Sequence, residues 1–225
     1  MNKVKTSASK QSKLGLSLIV FGIILGIITV FLIINNNQNV PKAPPGALTS
    51  RSAPSSVKPR AQTVASYSVP PTHPKYINIP AIAVANTRIL QLGLLSNDSI
   101  AVPDNIYDTG WYDRSSKPGQ TGAMFIYGHV SSWTADGVFY KLKELTAGDK
   151  IIITSGDNTT YTYQVVSTKI YPYNNVDMNQ VLAPIESNTP GLNLMTCTGQ
   201  IIRGTSEFSE RLVVFTSLVR SQVKV

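Results

Sequence analysis

The first constraint on the fold is an uncharged apolar run, LGLSLIVFGIILGIITVFLII, which occupies positions 14–34. As a helix rising about 1.5 Å per residue, a run of this length spans about the 30 Å of a bilayer's hydrocarbon core. The apolar core of a cleaved signal peptide is only about 7 to 15 residues long, and no clear small-residue cleavage site follows this run. The sequence therefore predicts an uncleaved transmembrane helix at 14–34, with a cleaved signal peptide as the alternative.

The charges on either side of this run set its orientation. Residues 1–13 contain four lysines, whereas the sequence NNNQN follows the run. Basic residues concentrate on the cytoplasmic side of membrane helices, so residues 1–13 are predicted to be a cytoplasmic tail. We therefore expect a single-pass protein of the cell membrane, with its N-terminal helix in lipid and everything after the span outside the cell.

The net charge of +8 is distributed unevenly along the chain. Residues 1–74 hold eight of the 20 basic residues and none of the 12 acidic ones, so residues 75–225 are neutral overall. A nucleic-acid-binding domain usually displays a net basic surface. The charge distribution therefore argues against nucleic acid as a partner.

Residues 35–74 separate the apolar run from the rest of the chain. They contain eight prolines among Ser, Ala, Gln and Asn, with few large apolar side chains. Such a composition cannot bury enough surface to offset its ordering entropy. The segment is predicted to be a disordered, Pro-rich extracellular linker. At about 3.1 Å per residue, it could hold a domain up to roughly 100 Å from the bilayer.

The remaining residues, 75–225, read as an all-β domain. Short runs rich in β-branched and aromatic residues are separated by Gly, Pro, Asn and Asp, which is typical of a sandwich or barrel. About 150 residues can bury a sufficient core without disulfides. Only two short pieces have a helical pattern, and the strand-like runs are more numerous. The helical pieces are GVFYKLKEL and DMNQVLAP, and the strand-like runs include KYINIPAIAV, TRILQLGLL, GAMFIYGHV, DKIIITS, TTYTYQVVSTKIYPY, LNLMTC and RLVVFTSLVR.

Cys197 is the only cysteine of the chain. A lone cysteine is most often a small buried hydrophobic residue. Outside the cell, however, an unpaired thiol raises the question of reactivity. A thiol attacks as its thiolate, and a nearby imidazole can accept the proton. Of the two histidines, His73 lies in the linker, whereas His129 closes the strand-like run FIYG. His129 is therefore the predicted partner of Cys197.

Arg211 is a third candidate for the same site. A guanidinium keeps its charge when partly desolvated and could stabilise an oxyanion that develops on a reacting carbonyl. Cys197, His129 and Arg211 each lie at the start or end of a predicted strand, where a rigid scaffold can present them to a shared groove. Arg203 is the second choice for the cation because it lies in the loop between Cys197 and Arg211.

These motifs resemble those of the sortase family. NLMTCTG, around Cys197, is similar to the TLxTC signature of sortases; YGH, with His129, resembles their histidine motif; and RLVVFTSL, beginning at Arg211, resembles their final strand. The order of the three motifs also matches, since Cys197 follows His129 by 68 positions and precedes Arg211 by 14. The resemblance covers about residues 76–225 and is closest to the single-domain classes lettered D to F.

The resemblance implies a closed eight-stranded β-barrel with one or two short helices, and a cysteine transpeptidase. The thiolate of Cys197 would attack a Thr–Gly bond in a C-terminal Leu-Pro-x-Thr-Gly-like sorting signal of a secreted protein, forming a thioester. An amine, from a wall precursor or a pilin lysine, would resolve it. His129 would serve as general acid and then base, Arg211 would hold the carbonyl or oxyanion, and Thr196 would help to position the substrate.

The resemblance implies neither a metal nor an organic cofactor. Four aspartates between positions 98 and 113 fit no calcium-loop spacing. Ile201, Ile202 and Trp133 are candidates for the lining of the substrate groove, and ordinary packing is the alternative for each.

Two other functions remain open at this stage. A cysteine protease or thioesterase would use the same thiol and imidazole with water as the acceptor. An anchored, non-catalytic β-domain would bind peptide or wall polymer through the same surface.

Overall fold

The computed structural model describes residues 53–96 and 99–222. The predicted cytoplasmic tail, the predicted transmembrane helix and positions 35–52 of the predicted linker lie outside the described residues. None of the helices within residues 53–96 and 99–222 has the length and apolar character needed to cross a bilayer.

Eight strands form a closed barrel, as the resemblance implied. Their order around the barrel is β1, β2, β3, β4, β7, β8, β6, β5, and β5 pairs back onto β1. Neighbours are antiparallel except for the pairs β2–β3 and β4–β7, which are parallel. The strands are β1 (Pro74–Ile79), β2 (Val84–Leu92), β3 (Thr109–Tyr112), β4 (Ala123–Gly128), β5 (Lys150–Ser155), β6 (Thr160–Pro172), β7 (Gly191–Ile201) and β8 (Phe208–Gln222).

Strand β4 and the central residues of β7 and β8 are buried on both faces, which explains their nearly continuous apolar sequences. Alternate residues of these strands point into the barrel and pack in its main core; they include Met124, Ile126, Leu192, Leu194, Leu212 and Val214. The intervening residues point outward into a second apolar cluster that includes Phe125, Tyr127, Val213 and Phe215. The connection from β6 to β7 contributes Val181 to this outer cluster.

The helices are short, as expected. Helix α1 is Ala61–Ala65, helix α2 is Met178–Val181, and 3-10 turns occur at Pro80–Ile82 and Leu142–Glu144. The pattern DMNQVLAP contains α2, whose first turn is capped by Asp177 through a hydrogen bond from the Gln180 amide. The pattern GVFYKLKEL yields only a 3-10 turn. Strand β3 was not anticipated because its four residues lie among turn residues.

Residues 53–73, here called the N-terminal arm, differ from the expected disordered linker because they pack against the barrel. The Tyr67 hydroxyl donates to the Ile89 carbonyl of β2 at 2.6 Å. The Tyr76 hydroxyl donates to the Val64 carbonyl at the end of α1. The composition argument considered apolar burial alone, whereas hydrogen bonds with the folded domain hold this arm.

A buried ion pair lies beneath the arm. Arg88 on β2 binds the Asp108 carboxylate through both Nε and Nη2, at 2.9 and 2.6 Å. The Asp108 side chain is only 4% exposed. The Tyr67 ring lies 5.8 Å from the guanidinium carbon, and burial raises the pKa of the Tyr67 hydroxyl. The pair therefore joins β2, the residue before β3 and the arm.

We expect Asp108→Ala to lower the free energy of unfolding by about 3 kcal/mol, because it leaves the Arg88 guanidinium largely buried without its partner. Urea unfolding measures this change. Asp113→Ala is the control. Asp113 is exposed and directly follows the end of β3, so its loss should change the free energy of unfolding by less than about 0.5 kcal/mol. Equal effects of the two substitutions would contradict a structural role for the ion pair.

Candidate functional site

Strand β7 passes from the barrel core to solvent at Cys197. Its residues are buried as far as Leu194 and again at Thr196, Cys197 is half-buried, and the strand is exposed from Gly199 onward. The prediction that Cys197 and Arg211 lie at strand ends was wrong, because β7 continues to Ile201 and β8 begins at Phe208. The two strands extend beyond the core as a hairpin, so the thiol lies at the rim.

The pairing of three strands places the predicted residues in one row. Strands β4 and β7 run parallel with Tyr127 opposite Met195, and this register continued by two residues puts His129 beside Cys197. The Thr196 hydroxyl donates to the Gly128 carbonyl at 2.9 Å and holds the two strands together at this point. Cys197 is in turn opposite Arg211. Neighbouring strands lie about 4.8 Å apart, so the three residues are adjacent.

All three side chains of the row belong to the outer face of the sheet. Met195 and Val213 lie two residues from Cys197 and Arg211 on their strands, and Tyr127 lies two residues before His129 near the end of β4. All three pack in the outer cluster. Side chains two positions apart in a strand point to the same face. The imidazole, thiol and guanidinium therefore share the outer face, and the thiol does not enter the barrel interior.

The His129 ring is held by a backbone carbonyl. Its Nε2 lies 2.8 Å from the carbonyl oxygen of Pro103, in the connection between β2 and β3. A carbonyl oxygen only accepts hydrogen bonds, so in the neutral ring Nε2 carries the proton and Nδ1 has the lone pair. In the described part of the chain, Nδ1 has no hydrogen-bond partner, and no hydrogen bond joins the ring to the Cys197 thiol.

The Arg211 guanidinium is bound within its own hairpin. Nη1 donates to the carbonyls of Phe208 and Glu210, both at 3.0 Å, and Nη2 donates to the Glu207 carboxylate at 2.9 Å. The Tyr173 ring lies 5.9 Å from the guanidinium carbon. Arg203, the alternative cation, is exposed in the hairpin turn. The guanidinium beside Cys197 is that of Arg211.

The surroundings of Cys197 favour its neutral form. Burial raises the pKa of the Cys197 thiol, the Arg211 charge opposes that increase, and the Glu207 charge adds to it. The net pKa lies above the ordinary value for a cysteine thiol. At neutral pH the resting site therefore holds a thiol, and a base must take its proton when the nucleophile forms.

The other predicted residues, Thr196, Ile201, Ile202 and Trp133, lie outside this row. The Thr196 side chain is buried and points to the inner face, where its hydroxyl binds Gly128. Ile201 is about half exposed at the end of β7, and the Ile202 amide donates to the Glu207 carbonyl in the hairpin turn. Trp133 is 76% exposed in the loop after His129, so it does not cover the ring.

Two groups that contact the site residues were not predicted from the sequence, the Glu207 carboxylate and the Pro103 carbonyl. Glu207 lies four positions before Arg211, a spacing that suggests an ion pair in a helix but not in a hairpin. The Pro103 carbonyl belongs to the backbone and carries no signal in its residue type. Only the folded structure brings it to His129.

The described residues offer no metal site. Within 53–96 and 99–222, no three His, Cys, Asp or Glu side chains are grouped so that they could hold an ion. Of the four aspartates noted in the sequence, Asp108 is paired with Arg88 and Asp98 lies outside the described residues.

We expect Gly137→Ala to lower the free energy of unfolding by roughly 1 to 3 kcal/mol. A methyl group at position 137 would collide with the His129 carbonyl oxygen, which accepts from the Phe139 amide at 3.0 Å. Urea unfolding measures the loss. Gly93→Ala is the control, because a methyl there meets only the Asp113 side chain at 3.5 Å. A Gly137→Ala variant as stable as the Gly93→Ala variant would contradict this close packing.

Glu207→Gln should lower the pKa of the Cys197 thiol, because it removes a negative charge that raises this pKa. The pH profile of Cys197 alkylation by iodoacetamide should then shift to lower pH. Arg211→Gln should shift the profile to higher pH. Glu210→Gln is the control. It neutralises a carboxylate near the start of β8 that does not contribute to the shift of the thiol pKa, so the profile should not move. A profile that does not move in Glu207→Gln would contradict the described electrostatics.

Comparison with known proteins agrees with this geometry. The family model described as "Sortase domain" matches residues 77–219, more than half of the chain. No curated protein matches the chain. The barrel is similar to that of the SrtA sortase from Actinomyces oris, with a TM-score of 0.51 and 21% identity over 69% of this chain and 85% of that one.

Two solved structures of one further protein are also similar. Sortase A from Corynebacterium diphtheriae matches with a TM-score of 0.50 and 26% identity over 64% of this chain and 59% of that one. Its lid mutant matches with the same TM-score and identity over 71% of this chain and 76% of that one. With the family model, these matches show that the chain belongs to the sortase family of cysteine transpeptidases.

Proposed function

We propose that the protein is a membrane-anchored sortase that cleaves a C-terminal Leu-Pro-x-Thr-Gly-like sorting signal and transfers the new acyl group to an amine. The observation that carries the proposal is the row formed by His129, directly after β4, Cys197 on β7 and Arg211 on β8. One row on one face lets a single extended substrate meet all three groups.

The reaction has two halves. His129 first takes the proton of the Cys197 thiol, and the thiolate attacks the threonine carbonyl carbon, forming a C–S bond. The C–N bond to glycine then breaks as His129 delivers a proton to the leaving amine. In the second half, His129 takes a proton from the incoming amine, which attacks the thioester carbon; the C–S bond breaks, and His129 returns the proton to the Cys197 sulfur. Because Nε2 is bound to the Pro103 carbonyl, Nδ1 is the nitrogen that exchanges these protons.

Arg211 would stabilise the oxyanion that forms at each attack. In the described resting structure, Glu207 and two carbonyls occupy both terminal nitrogens of the guanidinium. The substrate oxygen would therefore compete with the Glu207 carboxylate. The Glu207 side chain is 56% exposed and can leave to solvent at low cost. Thr196 would help to position the substrate indirectly, because its hydrogen bond to Gly128 keeps β4 and β7 aligned.

The outer face next to the row suits the apolar part of a sorting signal. Half-buried apolar side chains surround it, and they include Leu92, Ile100, Tyr112, Val176, Leu182, Ile185 and Met195. A leucine and a proline could contact this surface while the following threonine carbonyl reaches Cys197. Ile201, Ile202 and Trp133 would then contact the acceptor or the outer end of the signal. The acceptor would be the amine of a wall precursor or a pilin lysine.

Membrane anchoring is part of the proposal. It is supported by the apolar run at 14–34 and by the lysines that precede it.

Cys197→Ala should abolish transfer of a labelled sorting peptide to an amine such as hydroxylamine, because no thioester can form. Transfer and hydrolysis are measured together by chromatography of the peptide products. His129→Gln should lower the rate by at least about a hundredfold, since general acid–base catalysis contributes about that much. His73→Gln changes the other histidine, which lies directly before β1 and packs against Trp111, and should leave the rate unchanged.

Full transfer by Cys197→Ala would refute the proposed nucleophile. Products formed from water as fast as from hydroxylamine would indicate a protease or thioesterase. Peptide binding without any thioester in the wild-type protein would indicate a non-catalytic binding domain.

A further inference from the structure

Two outward-facing side chains, near the end of β4 and directly after it, form hydrogen bonds with the connection between β2 and β3. Tyr127 donates its hydroxyl to the Ala101 carbonyl, and two residues later His129 binds the Pro103 carbonyl. This connection runs over positions 93–108 between the two strands. A connection of more than about 12 to 15 residues needs contacts with other segments of the chain to hold its backbone in one conformation. The position of the Pro103 carbonyl therefore depends on what holds the neighbouring residues.

The N-terminal arm supplies several hydrogen bonds directly after Pro103, in addition to the bond from the Val138 amide to the Ile106 carbonyl. The Ser55 amide donates to the Asp104 carbonyl at 2.7 Å, and the Ile106 amide donates to the Ser55 carbonyl at 3.0 Å. The Asn105 side chain adds a third bond, from its Nδ2 to the Val57 carbonyl at 2.8 Å. These bonds hold three successive residues, 104–106, against the arm.

The arm also contacts the loop on the other side of His129. The Ser56 hydroxyl lies 3.1 Å from the Thr134 hydroxyl. Thr134 belongs to a turn in which the Ser132 hydroxyl accepts from the amides of Thr134 and Ala135. The arm therefore binds both the connection that contains Pro103 and the loop that follows His129.

We propose that residues 55–57 of the arm, together with Asn105, are positioning residues for His129. They fix the Pro103 carbonyl, which keeps the proton of the neutral ring on Nε2 and directs Nδ1 to the site of proton transfer. The inference rests on the proposed function of His129 in transpeptidation. It adds a role for a segment that the sequence placed in a passive linker.

The tautomer of His129 is the direct readout. The chain has only two histidines, so ¹⁵N-histidine labelling of the full-length protein and a His73→Gln variant assign both rings. At a pH where the ring is neutral, His129 should show a protonated Nε2 and an unprotonated Nδ1. Asn105→Asp removes the donor to Val57 but keeps Oδ1, which accepts from the Tyr107 amide. This variant should give a mixture of tautomers.

The kinetic effect should fall on kcat. Losing one hydrogen bond of this kind corresponds to roughly a threefold to tenfold decrease, with KM for the peptide unchanged. Ser55→Pro deletes the arm's amide donor to Asp104 and should act in the same way. Because both variants loosen one contact, their effects should not add. Asn78→Asp is the matched control, since Asn78 on β1 also keeps its Oδ1 acceptor for the Asn86 amide.

A wild-type His129 with its proton on Nδ1 would overturn the proposal. So would an unchanged tautomer and kcat in both arm variants, or an equal loss of kcat in Asn78→Asp. The NMR result stays separate from the proposed function. If His129→Gln retained full activity, the catalytic role would fail while the tautomer would still report whether the arm positions the ring.

Discussion

The site depends on the parallel pairing of β4 with β7. These strands are far apart in sequence, and their ladder carries no covalent or short-turn constraint. The bond from the Thr196 hydroxyl to the Gly128 carbonyl fixes the last step of the ladder. A slip of one residue would move Cys197 to the inner face and remove it from His129, because side chains alternate between the faces. The geometry of the candidate site and the stability of the barrel therefore depend on the same register.

The surroundings of Cys197 keep its thiol weakly reactive in the resting site. The thiol is neutral because burial and Glu207 together outweigh Arg211. The same carboxylate occupies the guanidinium that would bind an oxyanion. A substrate that displaces Glu207 would remove one cause of the raised thiol pKa and also free the cation. Substrate binding would thus favour the nucleophile, whereas the site without substrate would hold little reactive thiolate.

Much of this could be predicted from the sequence, and the missed parts have physical reasons. Strongly alternating strands such as β6 and the motifs around Cys197 were recognised because side-chain periodicity and residue type carry the signal. Closure into a barrel came from the family resemblance alone, since the same strands suit a sandwich. Strand β3 has only four residues, and the Pro103 carbonyl and the Glu207 contact arise from backbone paths that no local pattern encodes. Residues 53–73 were missed because their hydrogen bonds need the folded barrel as a partner.

The hydrogen bonds of residues 55–57 are few and near solvent, so they contribute little to the stability of the barrel. Each net hydrogen bond contributes about 1 kcal/mol, whereas the barrel has two apolar clusters of its own. Detachment of residues 55–57 would therefore leave a folded domain with a less constrained imidazole. Proton transfer is sensitive to geometry at the scale of a single hydrogen bond. The arm can thus affect the reaction strongly while affecting unfolding weakly, which is the signature of positioning as opposed to structural support.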